Sequence, residues 1–193
     1  MNKLKLKRKL NKRKIIIIII NIILIILGLL YPSIIEKSTI STKLTTYIEN
    51  IINSKYLIEA LIKTNIINNI SEVLLLSLNT IFIITFPISI LLYFTKSFSL
   101  GVSISSLIYF YKLKGLLFSI IIGIPSIINL ILISILFYYS ITYFIIFIKS
   151  KSKIRKKKLL KEYLKVILIV LVLNMILSII DSYLSFYLFK LFK

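Results

Sequence analysis

The chain of 193 residues has no cysteine, no histidine and no tryptophan. Disulfides, thiol nucleophiles, imidazole bases and the zinc ligand sets built from Cys and His are thereby excluded. Acids are almost as scarce: Glu36, Glu49, Glu59, Glu72, Glu162 and Asp181 stand against 26 basic residues, for a net charge of +20. Six carboxylates leave little for paired-carboxylate catalysis. The chain therefore reads as a non-enzyme, with no cofactor and no metal.

Apolar residues are abundant, at 59% of the chain, and several runs are long enough to cross a bilayer. The basic residues fall in blocks beside those runs, the pattern that orients a multi-pass membrane protein, and not in a nucleic-acid-binding surface. The expected partner is the lipid bilayer, with no nucleic acid. The expected fold class is all-α: a polytopic integral membrane protein of about five transmembrane helices. It would carry a broken or half helix before the fourth span and an amphipathic helical segment after the first.

Residues 1–14 hold eight basic residues and no acid, and they abut the apolar run 15–35. That is the pattern of an uncleaved anchor, since no small-residue cleavage site follows Leu30, Tyr31 and Pro32. A cytoplasmic N-terminus and a first span are expected. Residues 36–72 mix Lys, Glu, Asn, Ser and Thr with apolar residues at helical spacing, Ile40, Leu44, Ile48, Ile51 and Ile52, then Leu57, Ile58, Leu61 and Ile62. One or two external amphipathic helices follow from this.

The remainder, 73–193, reads as a four-span membrane domain. The second span is 73–94, with a kink at Pro87 and with Asn79 and Thr80 turned toward another helix. The third, 98–111, is short and relies on Lys96 and Lys112 reaching the two interfaces. Residues 115–148 are too long for one crossing at about 1.5 Å per residue. A break at Gly123 and Pro125 would make 115–122 a half helix and leave 126–148 to cross. A basic cytoplasmic loop at 149–162 precedes the last span, 163–187. Five crossings put 18 of the 26 basic residues in the cytoplasm, Lys96 among them, and the C-terminus outside.

Within 94–129, Ser97, Gly101 and Ser105 recur every four residues, forming a strip of small side chains on which another helix can pack closely. Internal packing is the simplest use of that strip, and self-association into a homo-oligomer is the other. Asp181 falls near the outer end of the last span, where it is either hydrated or structurally paired, or else binds a partner. Asn174, seven residues earlier, shares its helical face and suits a helix-to-helix hydrogen bond.

Several of these residues resemble the stage II sporulation protein M family of endospore-forming bacteria. Asn68-Asn69-Ile70 followed by VLLL and Phe86-Pro87, then Phe94-Thr95-Lys96-Ser97-Phe98 with Gly101 and Ser105, then Gly115 with Ile124-Pro125, and last Ile180-Asp181-Ser182-Tyr183-Leu184-Ser185, follow that family's order and spacing. Ser97 and Ser105 replace two ladder glycines, and Phe186 stands where the family has proline. The resemblance implies a membrane scaffold for the peptidoglycan hydrolases of engulfment, with stage II sporulation proteins D and P as partners. It also implies a place in the cell membrane, at the mother-cell side of the septum. Ser97, Gly101, Ser105, Gly115, Pro125, Asp181, Tyr183 and Ser185 are the packing or partner-interface candidates. The broken run at Gly123 and Pro125 keeps a permease or transporter subunit open as the alternative.

Overall fold

The computed structural model describes residues 3–34, 57–78, 86–149 and 153–191. All of them are helical, in four segments: α1 (Lys3–Ile34), α2 (Leu57–Leu78), α3 (Phe86–Lys149) and α4 (Lys153–Leu191). The α3 segment is two helices joined at Lys112, where the backbone leaves helical values at φ 51°, ψ −124°. Its arms, 86–111 and 113–149, fold back on each other. Near the turn a side chain on Gly115 would collide with the Leu107 carbonyl, and Tyr111 meets Phe118 edge to face at 5.9 Å. Further along, Tyr93 stacks on Phe137 at 4.3 Å and shares a 3.0 Å hydrogen bond with Ser134.

Among the described residues, four stretches are long and apolar enough to cross a membrane: Lys14–Ile34, Pro87–Tyr109, Tyr111–Ile146 and Lys156–Leu188. Their outward surfaces are covered with exposed Ile and Leu, such as Ile15, Ile19, Ile22, Ile26 and Leu30 on α1. A water-facing protein does not present that much continuous apolar surface, and lipid is its natural solvent. The chain is a multi-pass membrane protein.

Side-chain pairs fix the helix directions. Ser97 donates to Asn21 at 2.7 Å and Ser105 donates to the Gly28 carbonyl at 3.4 Å, so α1 and the first arm of α3 run the same way. Asn21 also donates to Ser134 at 2.9 Å and the Lys14 ammonium sits 5.3 Å over the Tyr138 ring, so α1 opposes the second arm. Two parallel helices in succession require the chain to come back between them. That return is α2, which opposes α4 through Asn65 to Ser182 at 2.9 Å and Asn69 to Ser178 at 2.6 Å. It also opposes the first arm of α3 through Lys96 and Glu72.

A buried core of Ile17, Val73, Leu76, Tyr93, Ile133, Leu136, Phe137, Tyr143, Tyr163 and Val170 draws on all four segments. It closes at one end on Tyr143 stacked against Tyr163 at 5.4 Å.

Three sequence expectations change. First, residues 73–78 belong to α2 while 86–94 and 98–111 lie on one helix, so the second span read from the sequence is divided between two helices and its later part is continuous with the third. Pro87 occupies the first turn of α3, where a missing N–H costs nothing and no kink results; Asn79 and Thr80 fall outside the described residues. Second, the helix runs unbroken through Gly123 and Pro125, so 115–122 is not a separate half helix. A proline within a membrane helix is tolerated where the surrounding bundle holds the helix in place. Third, Lys96 lies ten residues inside α3, in the bundle and not at a membrane face. Of the 36–72 segment, the part from 57 onward belongs to α2 and packs along α4; 36–56 lies outside the described residues.

The turn at Lys112 carries strain. A non-glycine residue at positive φ in a disfavoured region costs on the order of 1–3 kcal/mol. Lys112→Gly is expected to raise stability by about 1 kcal/mol, visible as a higher thermal unfolding midpoint of the purified protein in detergent.

Candidate functional site

Where α2, α3 and α4 meet, the bundle encloses a cavity of about 480 Å³ with polar walls. Three helical faces supply them. On α2, Asn65, Asn68, Asn69 and Glu72 recur at spacings of three and four, so they share one face. On α3 the first arm gives Lys96, Ser99 and Ser103, and the second gives Ser119, Gly123, Pro125, Ser126 and Asn129. The last helix adds Leu177 and Asp181. Such a concentration of polar groups in a membrane bundle is costly, and ionisable residues in that setting mark function by default.

The electrostatics are uneven. Lys96 Nζ donates to Glu72 Oε1 at 2.8 Å, and Lys96 is also close enough to act on Asp181. Glu72 and Asp181 outnumber this single cation, leaving one net negative charge on the walls. Asn129, only 7% exposed, donates to Asn69 Oδ1 at 3.0 Å. Glu72 Oε2, Asn129 Oδ1 and Asp181 Oδ1 are buried without a hydrogen-bond partner. All three are acceptors. Pro125, which has no N–H to offer the Ile121 carbonyl, and Gly123, which has no side chain, thin the wall of the second arm at this level.

The sequence candidates divide between two places. Ser97, Gly101 and Ser105 belong to the crossing of α1 and α3. Ser97 is fully buried, and a side chain on Gly101 would meet the Ile25 carbonyl, as one on Gly28 would meet that of Phe98. Ser105 also donates to the Gly101 carbonyl at 3.0 Å. Gly115 sits at the hairpin turn. Pro125 and Asp181 line the cavity. Tyr183 is exposed and stacks on Tyr187 at 6.5 Å, and Ser185 is half-buried on the same helix; neither joins the cavity.

Sequence reading missed Asn21 and Gly28, the partners of the small-residue strip, and the asparagine face of α2. The signal for the latter was present: Asn65, Asn69 and Glu72 fall at helical spacing, as do Asn174, Ser178, Asp181 and Ser182. These two polar stripes match each other. Reading 36–72 as an external segment ended α2 at its most polar turn and hid the match.

No family model, no curated protein and no solved structure matches this chain. Its function is therefore argued from its own residues.

Proposed function

We propose that the chain is a membrane scaffold of the stage II sporulation protein M kind, holding peptidoglycan hydrolases at the sporulation septum during engulfment. The carrying observation is that most of the motif residues take part in packing the bundle: Ser97, Gly101 and Ser105 make a close helix crossing, Gly115 lies at the hairpin turn, and Lys96, Pro125 and Asp181 share one cavity, while Tyr183 and Ser185 stand apart. A chain resembling that family in order and spacing thus uses the same positions to organise its bundle. Stage II sporulation proteins D and P are the proposed partners, and the mother-cell septal membrane the proposed location. Fluorescent hydrolases should disperse along the membrane when the gene is deleted; unchanged focusing at the septum would contradict the scaffold.

In this reading α2 is a further crossing, which restores five spans with the N-terminus in the cytoplasm and the C-terminus outside. Its 22 residues reach about 33 Å at 1.5 Å per residue, enough for the ~30 Å hydrocarbon core. Asn65 and Asn69 bond to α4, and Asn69 also accepts from Asn129 of α3, instead of facing lipid. Because the chain has no native cysteine, single cysteines report topology directly. Lys114→Cys should react with an impermeant maleimide on intact cells, and Lys158→Cys only after permeabilisation; the reverse pattern would overturn the orientation.

A permease or transporter subunit is the second reading, favoured by one observation, the polar cavity between helices of a membrane bundle. Solute flux in proteoliposomes containing the purified chain would decide for it, and tight vesicles would decide against it.

A further inference from the structure

We propose that the cavity between α2, α3 and α4 is a binding site for a small protonated amine. The three buried polar atoms without partners on its walls, Glu72 Oε2, Asn129 Oδ1 and Asp181 Oδ1, are all oxygen acceptors. An orphaned buried acceptor is costly, and a guest that relieves all three must bring hydrogen-bond donors. An ammonium group brings three donors and no acceptor.

Charge points the same way. The walls carry two carboxylates and one lysine, and that lysine is already committed to Glu72. An anionic guest would meet Asp181 and Glu72 with no free cation on the walls to compensate. A cation neutralises the excess and forms charge-assisted bonds, about twice as strong as neutral ones.

Size separates an amine from a bare metal ion. A volume of about 480 Å³ falls within the ~300–1,000 Å³ of small-molecule sites, far above the space of a dehydrated ion. Among the described residues no three His, Cys, Asp or Glu come together to hold a metal. Leu75, Leu100, Ile104 and Leu107 supply apolar wall beside the polar groups, which suits the carbon skeleton of an organic amine. Ser99 and Ser103 are exposed on the rim, giving the cleft a polar mouth.

The inference uses the cavity that favours the permease reading, but it requires binding and not flux. Saturable binding with tight vesicles would remove the permease and leave the site intact; absent binding would remove the site whatever flux is found. The full chain in nanodiscs is dialysed against radiolabelled propylamine at fixed ionic strength. Saturable binding is expected, unaffected by acetate or sodium and about tenfold weaker in Asp181→Asn, which keeps the shape and removes the charge. Ser103→Phe, filling the cleft from its exposed rim, is the independent variant should Asp181→Asn fail to fold, and it should block binding. Absence of saturable binding, equal affinity in both variants, or displacement by sodium would overturn the proposal.

Discussion

Gly101→Val is expected to destabilise the bundle strongly. At the crossing of α1 and α3, glycine faces glycine: a Cβ on Gly101 points at the Ile25 carbonyl and one on Gly28 at the Phe98 carbonyl. These obstacles are backbone atoms, so no rotamer change relieves the clash and the helices must separate. Overpacking costs up to about 3 kcal/mol. Separation also weakens the Ser97–Asn21 and Asn21–Ser134 bonds, at about 0.6 kcal/mol each in a membrane. A total near 4 kcal/mol should appear as a large fall in thermal unfolding midpoint and in recovered folded protein. Gly123→Ala is the matched control, because its Cβ would find only the Ile104 Cδ1 at 3.9 Å. It should be close to neutral; equal loss in both variants would refute the crossing as the cause.

Lys96→Ala is expected to have the second largest effect. It removes the Lys96 hydrogen bond to the Glu72 carboxylate, whose other oxygen is buried without a partner among the described residues. It also leaves two carboxylates on one cavity with no cation between them. Breaking a fully buried pair from one side costs about 3–5 kcal/mol. Both side chains here are 29% exposed, and solvent reduces the expected loss to about 2 kcal/mol. The double variant Lys96→Ala, Glu72→Gln should recover most of it, since the neutral amide no longer needs the cation. Thermal unfolding of the four proteins of this cycle measures the coupling; additive losses would show that the 2.8 Å pair contributes nothing.

These two sites show why parts of the chain were legible. The strip of Ser97, Gly101 and Ser105 follows from helical spacing alone, and the structure places it against a helix of the same chain. Its partner was obscure because the stretch 15–30 of α1 is almost uniformly Ile and Leu, so nothing in hydropathy singles out Gly28. The membrane character was visible in the same way, through the length of apolar runs. Span boundaries were not. Residues 73–94 offer one largely apolar run, and where one helix stops and the next begins is decided by which residues pair. Glu72 pairs with Lys96 and the Leu75 carbonyl with Ser89, folding this stretch back on itself.

Pro125 shows the opposite error. Proline breaks helices in water, whereas within a packed membrane bundle Pro125 remains in an unbroken helix and thins a cavity wall. The actual reversal, at Lys112, has no proline and was marked by two lysines and Gly115 in an apolar run. Asp181 was placed near the outer end of the last span by counting residues from Tyr163; it lies ten residues before the end of α4, on the cavity that Lys96 also lines. Counting along one helix cannot reveal that the facing stripe of α2 closes a cavity around it.

The central claim is that α2 lies inside the bundle, antiparallel to α4, and completes the polar cavity. Cysteine pairs in this naturally cysteine-free chain test it most directly. Asn65 and Ser182, and Asn69 and Ser178, are in side-chain contact at 2.9 and 2.6 Å, within reach of a disulfide once both are cysteine. Both pairs should cross-link rapidly in native membranes under mild oxidation, and Asn65 with Asn174 replaced by Cys, about two helical turns out of register, should do so far more slowly. Equal rates for the facing and the mismatched pairs, or no cross-link in either facing pair, would contradict the account and return α2 to the membrane surface.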